Sequence, residues 1–225
     1  MRLAEEGANV AINYFSSSKG ADDAVSQITA NGGKAFALQG DLSKQDAVDA
    51  LVQRTVADFG SVDVLVNNSG GLVARKKIAE MTLEHWHEVM DLNLTSIFMM
   101  VKASLPHMSS GAIINLASQA GRDGGGPGAV PYATSKGAVM TMTRGLAKEL
   151  GPDIRVNSLC PGMIDTDFHN VHTKDEVRRN VEAATPLKRQ GSPEDIANMV
   201  AVLACSDSAF ITGANIDING GMLFS

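Results

Sequence analysis

The chemistry that this sequence can support centres on a tyrosine and a lysine four positions apart, Tyr132 and Lys136. Residues 133–150 are typical of a helix, and side chains four apart on a helix lie on one face, one turn apart. An ammonium beside a phenol stabilises the phenolate, so we expect Lys136 to lower the pKa of Tyr132 from its usual value of about 10. Such a phenol donates or accepts a proton near neutral pH. The same spacing also occurs by chance on helices that do no chemistry.

The composition is that of a globular protein, and it excludes several functional classes. The chain has 225 residues, of which 44% are hydrophobic and 20% charged, and its formal net charge of −6 gives no reason to expect a nucleic-acid partner. No apolar run is long enough to cross a membrane and no signal-peptide pattern is present, so we expect a cytoplasmic protein without a membrane partner. The two cysteines lie in apolar sequence, and no His, Cys or Asp set has metal-ligand spacing, so no metal is expected.

Strand and helix patterns alternate along nearly the whole chain. Strands are expected at 8–14, 34–39, 62–67, 112–117, 154–160 and 215–218. Helices are expected at 20–30, at 43–59 with Ser43 as the N-cap, and at 82–106, 133–150, 173–184 and 193–204. This order, with strands apolar on both faces, predicts an α/β fold with a doubly wound parallel sheet. Because no linker or repeat divides the chain, residues 1–225 are expected to form one domain.

Small and polar residues follow several of the expected strands. They are Asn13, Tyr14, Asp41, Leu42, Asn67, Asn68, Ser69, Gly70, Ser118, Pro161 and Gly162. Ligands of open parallel sheets bind at the carboxyl ends of the strands. We therefore expect these residues to line one crevice.

Five short sequence segments form an ordered series along the chain, and a sixth follows them. They are Asp41-Leu42, Asn67-Asn68-Ser69-Gly70, Asp91-Leu92-Asn93-Leu94, Ile114-Asn115-Leu116-Ala117-Ser118, Tyr132 with Lys136, and then Pro161-Gly162 with Thr166. In this order they resemble the motifs of the short-chain dehydrogenase/reductases, a family of Rossmann-fold, NAD(P)-dependent oxidoreductases. The resemblance extends over nearly the whole chain. It implies hydride transfer between a nicotinamide and a small-molecule ketone or secondary alcohol.

The resemblance assigns catalytic roles to four residues. It implies that Tyr132 exchanges a proton with the substrate oxygen, and that Lys136 lowers the pKa of Tyr132 and binds the ribose of the nicotinamide. Ser118 would polarise the carbonyl, and Asn93 would hold a water that links Lys136 to solvent. Considered without the resemblance, Ser118 could be a strand-end cap and Asn93 could satisfy helix backbone groups.

The resemblance also indicates the cofactor-binding residues. They are Ser16, Ser17, Asp41, Leu42, Asn68, Ser69, Gly70, Tyr132, Lys136, Pro161, Gly162 and Thr166. An acid at the end of the second family strand favours NAD, and here that place is taken by a serine run followed by Lys19. We therefore expect NADP as the cofactor, with NAD as the alternative. The serine run is equally typical of a polar loop that caps the next helix.

One element of the family pattern is missing from the sequence as given. The family carries a Gly-rich turn, Thr-Gly-x-x-x-Gly-x-Gly, between its central first strand and the following helix, where the helix amides bind the pyrophosphate. Here Arg2–Gly7 resembles the last turn of that helix, and the glycines at 124–126 do not join a strand to a helix. We therefore expect an N-terminally truncated domain, a gap in the sheet, and weak or absent cofactor binding.

The substrate and the assembly are less clearly indicated. The similarity is greatest to the branch of 3-oxoacyl-acyl-carrier-protein reductases, which favours a 3-oxoacyl thioester. A sugar, polyol or keto sugar acid dehydrogenase is the alternative, and a non-catalytic chain that only assembles is an alternative of another class. The segment 163–189 is rich in basic residues, which either attract an anionic substrate or form a solvated helix face. Those residues are His169, His172, Lys174, Arg178, Arg179, Lys188 and Arg189. Members of the family commonly form tetramers, so a homotetramer is expected.

Overall fold

The structure is a computed structural model that describes residues 1–166 and 173–225. His169 and His172 lie outside the described residues. The strands are β1 (Val10–Tyr14), β2 (Ala35–Gln39), β3 (Val64–Asn67), β4 (Gly111–Leu116), β5 (Ile154–Pro161) and β6 (Asn215–Ile218). The α-helices are α1 (Arg2–Glu5), α2 (Ser18–Ala30), α3 (Gln45–Phe59), α4 (Leu83–Met90), α5 (Ser96–Ser104), α6 (Ala120–Asp123), α7 (Val130–Leu150), α8 (Asp175–Ala184) and α9 (Pro193–Ala204).

The strands form two parallel sheets instead of one. β1 pairs with β2, and β3, β4, β5 and β6 pair in that order. Every strand pair in the described part of the chain is parallel, for example Val10 with Ala35 and Val64 with Ala112. This confirms the parallel α/β architecture, and it also confirms the expected gap, because no backbone pairing joins β1 to β3 among the residues described.

Helices cover both faces of the larger sheet. Side chains of neighbouring residues in a strand point to opposite faces. Accordingly, Ile113 belongs to one apolar cluster, which includes Val48 of α3 and Val139 of α7. Ile114 belongs to the other cluster, which includes Leu203 of α9. This burial on both sides explains why the strand sequences are apolar without alternation.

Two differences between the predicted and observed helix starts bear on residues of the predicted site. Ser43 is not the N-cap of α3: the helix begins at Gln45, and the backbone N–H of Ser43 instead donates to the carboxylate of Asp41 at 2.9 Å. The chain therefore makes a short turn before the helix. The second difference is that α7 begins at Val130 instead of residue 133, because Pro131 has the backbone geometry of a first helical turn and needs no hydrogen bond there. Tyr132 consequently lies inside the first turn of α7.

Candidate active site

Lys136 anchors α7 to the carboxyl end of β4. Its side chain is only 3% exposed, and its ammonium donates to the carbonyl of Leu116, the last residue of β4, at 2.7 Å. The ammonium nitrogen lies 5.8 Å from the centre of the Tyr132 ring. The predicted placement of the two side chains on one face of one helix is therefore correct.

The expected effect of Lys136 on the pKa of Tyr132 is wrong. Burial raises the pKa of Tyr132, and the hydrogen bond to Ser118 opposes this only in part. Burial also lowers the pKa of Lys136 to about 8. Desolvation is thus the largest influence on the pKa of this phenol. Tyr132 is therefore protonated at neutral pH.

Ser118 joins the same cluster from the loop after β4. Its hydroxyl oxygen accepts a hydrogen bond from the backbone N–H of Ala120 at 3.1 Å, and its side chain is hydrogen-bonded to Tyr132. Ser118 therefore both caps the end of the strand and contacts the phenol of Tyr132. Because the backbone donor takes one lone pair of the oxygen, it restricts the orientation of the hydroxyl beside Tyr132.

Asn93 lies in a π-helical segment, Asp91–Thr95, between α4 and α5. Such segments widen a helix locally and are frequent at functional sites. The Asn93 side chain is fully buried: its amide N–H groups donate to the carbonyls of Val89 and Gly71, both at 2.8 Å, and its oxygen accepts from the backbone N–H of Gly71 at 3.0 Å. Asn93 therefore satisfies backbone groups, which was the alternative to its holding a water. Its predicted role in holding a water stays a prediction.

Gly70 lies where Asn93 and Lys136 approach each other. A Cβ atom at this position would be 2.7 Å from the side-chain oxygen of Asn93 and 3.0 Å from the ammonium nitrogen of Lys136. Any larger residue would push apart the two polar groups. The glycine of the Asn67–Gly70 segment is therefore required by packing in this site.

Most of the predicted site residues line one cavity at the carboxyl ends of the strands of the larger sheet. Its volume is about 440 Å³. The predicted residues that line it are Asn68, Gly70, Ser118, Tyr132, Lys136, Pro161, Gly162 and Thr166. A second cavity of about 420 Å³ shares Ser118, Pro161 and Gly162 with it and extends towards α8 and α9. The two cavities together form only part of the expected crevice, because six of the residues predicted to line it line neither cavity: Asn13, Tyr14, Asp41, Leu42, Asn67 and Ser69.

The remaining predicted cofactor residues lie outside these two cavities. Ser16 and Ser17 are exposed between β1 and α2, where the resemblance places them, and Ser17 precedes α2 without a capping hydrogen bond from its side chain. Leu42 and Ser69 line a third cavity, between β1 and β3. The carboxylate of Asp41 is hydrogen-bonded to Ser43, which lowers the pKa of Asp41.

The geometry fits the nicotinamide ribose at one end of the site. A lysine ammonium has three N–H groups, and in the described part of the chain Lys136 donates a hydrogen bond only to Leu116, which leaves two N–H groups for ribose hydroxyls. Gly162 lets the backbone come close at this point, since a Cβ there would be 2.8 Å from the Cβ of Asn219. At the pyrophosphate end, residues 1–166 and 173–225 contain no Gly-rich turn between a strand and a helix.

Two of the basic side chains predicted to attract an anion are in ion pairs. Arg178 pairs with Asp165, and Arg189 pairs with Asp195 at 2.6 Å. Their charge is thus compensated locally. This weighs against attraction of an anionic substrate by these two positions.

Sequence reasoning missed Gln119, which follows Ser118 and lines the second cavity. Its amide nitrogen donates to Asp123 at 3.0 Å, whereas its oxygen is buried without a hydrogen-bond partner among the residues described. A buried acceptor of this kind can bind a donor on a ligand. A glutamine in a loop gives no signal of this in the sequence.

A buried polar chain was also missed. The amide of Asn67 donates to the side-chain oxygen of Asn115 at 2.8 Å, and the amide of Asn115 donates to the hydroxyl of Thr143 at 3.0 Å. This chain of hydrogen bonds joins β3, β4 and α7. The signal was available, because Asn115 interrupts an otherwise apolar strand, Gly111–Leu116.

Replacement of Asn115 by Ala is expected to lower the free energy of unfolding by about 2–4 kcal/mol, because it leaves two buried polar groups without partners. Urea denaturation, followed by the fluorescence of Trp86, measures the change. The matched control is Thr143→Val, which removes only the last member of the chain and should cost about half as much. A loss below about 1 kcal/mol for Asn115→Ala would show that the chain contributes little to stability.

Known proteins resemble this chain over nearly its whole length. A family model described as enoyl-(acyl carrier protein) reductase matches residues 1–223. The 3-oxoacyl-acyl-carrier-protein reductase FabG of Staphylococcus epidermidis is 41% identical over 226 residues, which is 99% of this chain and 91% of that protein. The chain belongs to the short-chain dehydrogenase/reductase family.

Two further relatives show the breadth of this oxidoreductase family. Glucose 1-dehydrogenase 2 of Bacillus subtilis is 38% identical over 229 residues, covering 98% of this chain and 87% of that protein. A crystal structure of a blue fluorescent protein from a metagenomic library, in complex with NADPH, has a TM-score of 0.92 and 36% identity, and the match covers 99% of this chain and 91% of that one. The Rossmann-type fold is thereby confirmed.

The described part of the chain shows neither a membrane-spanning helix nor a metal-binding group. No helix in the described ranges is long and apolar enough to cross a membrane. Nor do the residues described contain a group of three or more His, Cys, Asp or Glu side chains arranged to hold a metal ion.

Proposed function

We propose that this protein is an NADP-dependent reductase of 3-oxoacyl thioesters. The observation that carries the proposal is the protonated phenol of Tyr132, hydrogen-bonded to Ser118 in the same cavity as Lys136. The similarity to the 3-oxoacyl-acyl-carrier-protein reductase of Staphylococcus epidermidis supports the substrate class.

The proposed reaction needs a hydride and a proton, and this chain supplies the proton. The cofactor, when bound, supplies the hydride to the carbonyl carbon. The hydroxyls of Ser118 and Tyr132 lie side by side and donate hydrogen bonds to the ketone oxygen, where negative charge develops. As the alcohol forms, the phenol of Tyr132 transfers its proton to that oxygen.

The high pKa of Tyr132 supports the direction of reduction. A phenol whose pKa is raised by burial is a proton donor at neutral pH, which is the form that ketone reduction requires. Lys136, on the same helix, would stabilise the phenolate that remains and donate its two further N–H groups to the ribose of the nicotinamide. Asn93 and Gly70 would keep the Lys136 ammonium in position.

The choice of NADP rests on the end of β1. No acid follows this strand, where a carboxylate would bind the 2′-hydroxyl of NAD; Ser16, Ser17 and Lys19 can instead donate to a 2′-phosphate. The similar protein solved with NADPH supports this choice. NAD is the alternative cofactor.

We also propose one domain that assembles as a cytoplasmic homotetramer. Phe98, on the helix that follows Asn93, is 54% exposed, and Phe224 near the C-terminus is 85% exposed. Large exposed apolar side chains are typical of contact surfaces between chains.

A titration of the purified chain with NADPH and NADH, followed by the fluorescence of the nicotinamide, tests the cofactor. NADPH should bind more tightly than NADH, and both should bind weakly, because the described residues contain no Gly-rich turn for the pyrophosphate. Turnover is then compared between acetoacetyl thioesters and glucose. Faster oxidation of glucose would favour the activity named for the Bacillus subtilis relative. Absence of binding and of turnover would favour the non-catalytic alternative.

A further inference from the structure

Arg75 adds a second cation to the cavity that Tyr132 and Ser118 line. This first cavity of the crevice has a volume of about 440 Å³. The charged side chains that line it, in the part of the chain that the structure describes, are Arg75 and Lys136, and both are cationic. The ammonium of Lys136 is held on the carbonyl of Leu116. The reaction proposed above uses Lys136 but gives Arg75 no role.

The guanidinium of Arg75 lies against the glycine-rich loop 124–129, which joins α6 to α7. Its Nη1 atom donates to the carbonyl of Pro127 at 3.1 Å, and a Cβ atom on Gly126 would be 3.4 Å from the same nitrogen. Gly125 and Gly126 line both cavities of the crevice. Because glycine has no side chain, these two positions leave the loop open to a ligand beside the guanidinium.

A strained turn precedes Arg75 in the chain. Val73 has a φ of 61°, in the left-handed region, and the N–H of Ala74 donates to the carbonyl of Leu72 at 2.8 Å, which closes a γ-turn. This conformation is rare for a β-branched residue and persists where the surroundings enforce it, often at ligand sites. The turn redirects the chain two residues before Arg75.

Contacts with the 124–129 loop hold this turn in place. The backbone N–H of Lys76 donates to the carbonyl of Gly128 at 3.2 Å. Gly128 has a φ of +78°, and a Cβ atom there would be 3.0 Å from the Cβ of Arg75. The two loops therefore fit together only with glycine at position 128. A guanidinium fixed in this way loses less freedom when it binds a ligand.

Acidic side chains occur in the second cavity, where other groups already bind them. Asp123 accepts hydrogen bonds from the side-chain amide of Gln119 at 3.0 Å and from the backbone N–H of Gly125 at 2.8 Å. Asp195 is in the ion pair with Arg189. The described walls of the first cavity thus carry net positive charge, which favours an anionic ligand.

The chemistry of Arg75 indicates which anion would bind. A planar guanidinium matches a carboxylate, which it binds through two parallel N–H···O hydrogen bonds. A cavity of this volume is roughly 10 Å across. A molecule whose ketone is hydrogen-bonded to Ser118 and Tyr132 can therefore reach Arg75 with a carboxylate a few bonds away.

We propose that Arg75 is a specificity-determining residue, which binds a carboxylate that the substrate carries two methylene groups from its ketone. Two kinds of substrate have this chemistry: a 3-oxoacyl thioester whose acyl chain ends in a carboxylate, and a free oxo acid. The inference rests on the proposed function only in that a ketone binds at Ser118 and Tyr132. Sequence reasoning sought the anion-binding cations in the segment 163–189 instead.

Binding of 4-oxopentanoate, measured by ligand-detected NMR with the purified chain, tests the proposal without cofactor or turnover. The neutral probe is 4-oxopentanamide, which has the same carbon skeleton. The acid should bind about 5–30-fold more tightly than the amide, and Arg75→Met should remove this preference. Lys77→Met is the matched control, because Lys77 is an exposed cation of the same loop that lines neither cavity. This control should keep the preference.

Three results of the binding test would overturn the proposal. The first is equal binding of the acid and the amide, and the second is no binding of either up to about 50 mM. The third is an equal loss of acid binding in Arg75→Met and Lys77→Met, which would show a general effect of charge instead of a contact.

Turnover with NADPH then distinguishes the two kinds of substrate. The thioester pair is 3-oxoadipyl and 3-oxohexanoyl, which have the same chain length and differ in the terminal carboxylate. The ratio of their kcat/KM values should be about 5–30 for the unsubstituted chain and about 1 for Arg75→Met. A ratio of about 1 for the unsubstituted chain would contradict a carboxylate-ended thioester and leave the proposed reductase function standing.

The same assay separates the inference from the proposed function. Reduction of 4-oxopentanoate but of neither thioester would contradict the proposed function, and the inference would then hold for a free oxo acid. Absence of all turnover would count against the reductase function alone, because the binding test decides the role of Arg75 without it.

Discussion

Replacement of Tyr132 by Phe is expected to lower kcat for ketone reduction by about 10²–10⁴-fold, the usual contribution of a positioned acid. The variant keeps the buried ring and loses only the hydroxyl, which is hydrogen-bonded to Ser118 and which we propose as the proton donor. KM should change far less than kcat, because the proton transfer contributes mainly in the transition state. Steady-state assays with NADPH and an acetoacetyl thioester measure both constants.

The sequence supplies a matched control, since it contains only two tyrosines. The other, Tyr14, ends β1, and Tyr14→Phe should retain its activity within about twofold. Equal activity of Tyr132→Phe and the unsubstituted protein would exclude the phenol as the proton donor. The Tm of Tyr132→Phe is measured separately, so that a loss of activity through unfolding is distinguished from loss of the phenol.

Replacement of Lys136 by Met is expected to raise the free energy of unfolding at pH 7 by about 2 kcal/mol. Burial lowers the pKa of Lys136 from its usual 10.5 to about 8, so at pH 7 the folded protein holds an ammonium in a poorly solvated place. This costs about 3 kcal/mol. Loss of the hydrogen bond to the carbonyl of Leu116 offsets about 1 kcal/mol of the gain. Activity should fall at the same time, because the ribose and the phenolate lose their cation.

The pH dependence gives the sharper measurement. The pKa of Lys136 is lower in the folded than in the unfolded protein, so between about pH 8 and 10.5 the unfolded chain binds more protons. The cost of burial is complete below pH 8 and disappears as the pH rises towards 10.5. The stability advantage of Lys136→Met should therefore shrink from pH 7 to pH 10.

Comparison with the variant is necessary because other groups titrate in the same range. Burial raises the pKa of Tyr132 and of Cys160, so their ionisation at high pH destabilises the fold. Both groups remain in the variant, so their effects cancel in the difference except for the part that arises from the charge interaction between Cys160 and Lys136. Urea denaturation of both proteins at pH 7, 8, 9 and 10 measures it. A difference that stays constant over this range would contradict the lowered pKa of Lys136.

The order of motifs along the chain was sufficient to predict most of the residues that line the candidate site. Alternating apolar segments located β4 and α7, and the spacing of Tyr132 and Lys136 placed them on one helix face. Periodicity and spacing are local properties, and a helix or a buried strand retains them in any fold. For the same reason the sequence identified the family and the residues that meet at the carboxyl ends of the strands.

The tertiary structure decided properties that depend on surroundings. The pKa of Tyr132 rises because its burial outweighs the hydrogen bond to Ser118, and burial depends on packing between segments far apart in the chain. Asn93 binds Gly71, twenty-two positions away, and the start of α7 was displaced by a single proline. Local patterns carry no information about such contacts.

The separation of the sheet into two parts shows most clearly what the sequence predicts and what only the folded structure decides. Comparison with the family pattern predicted a gap, but only the packed structure shows that, among the residues described, two open strand edges and apolar helix side chains surround one cavity. Motif order depends on the chain alone and can be read from it. Hydrogen-bond satisfaction and desolvation depend on which atoms surround a group, so only the folded molecule determines them.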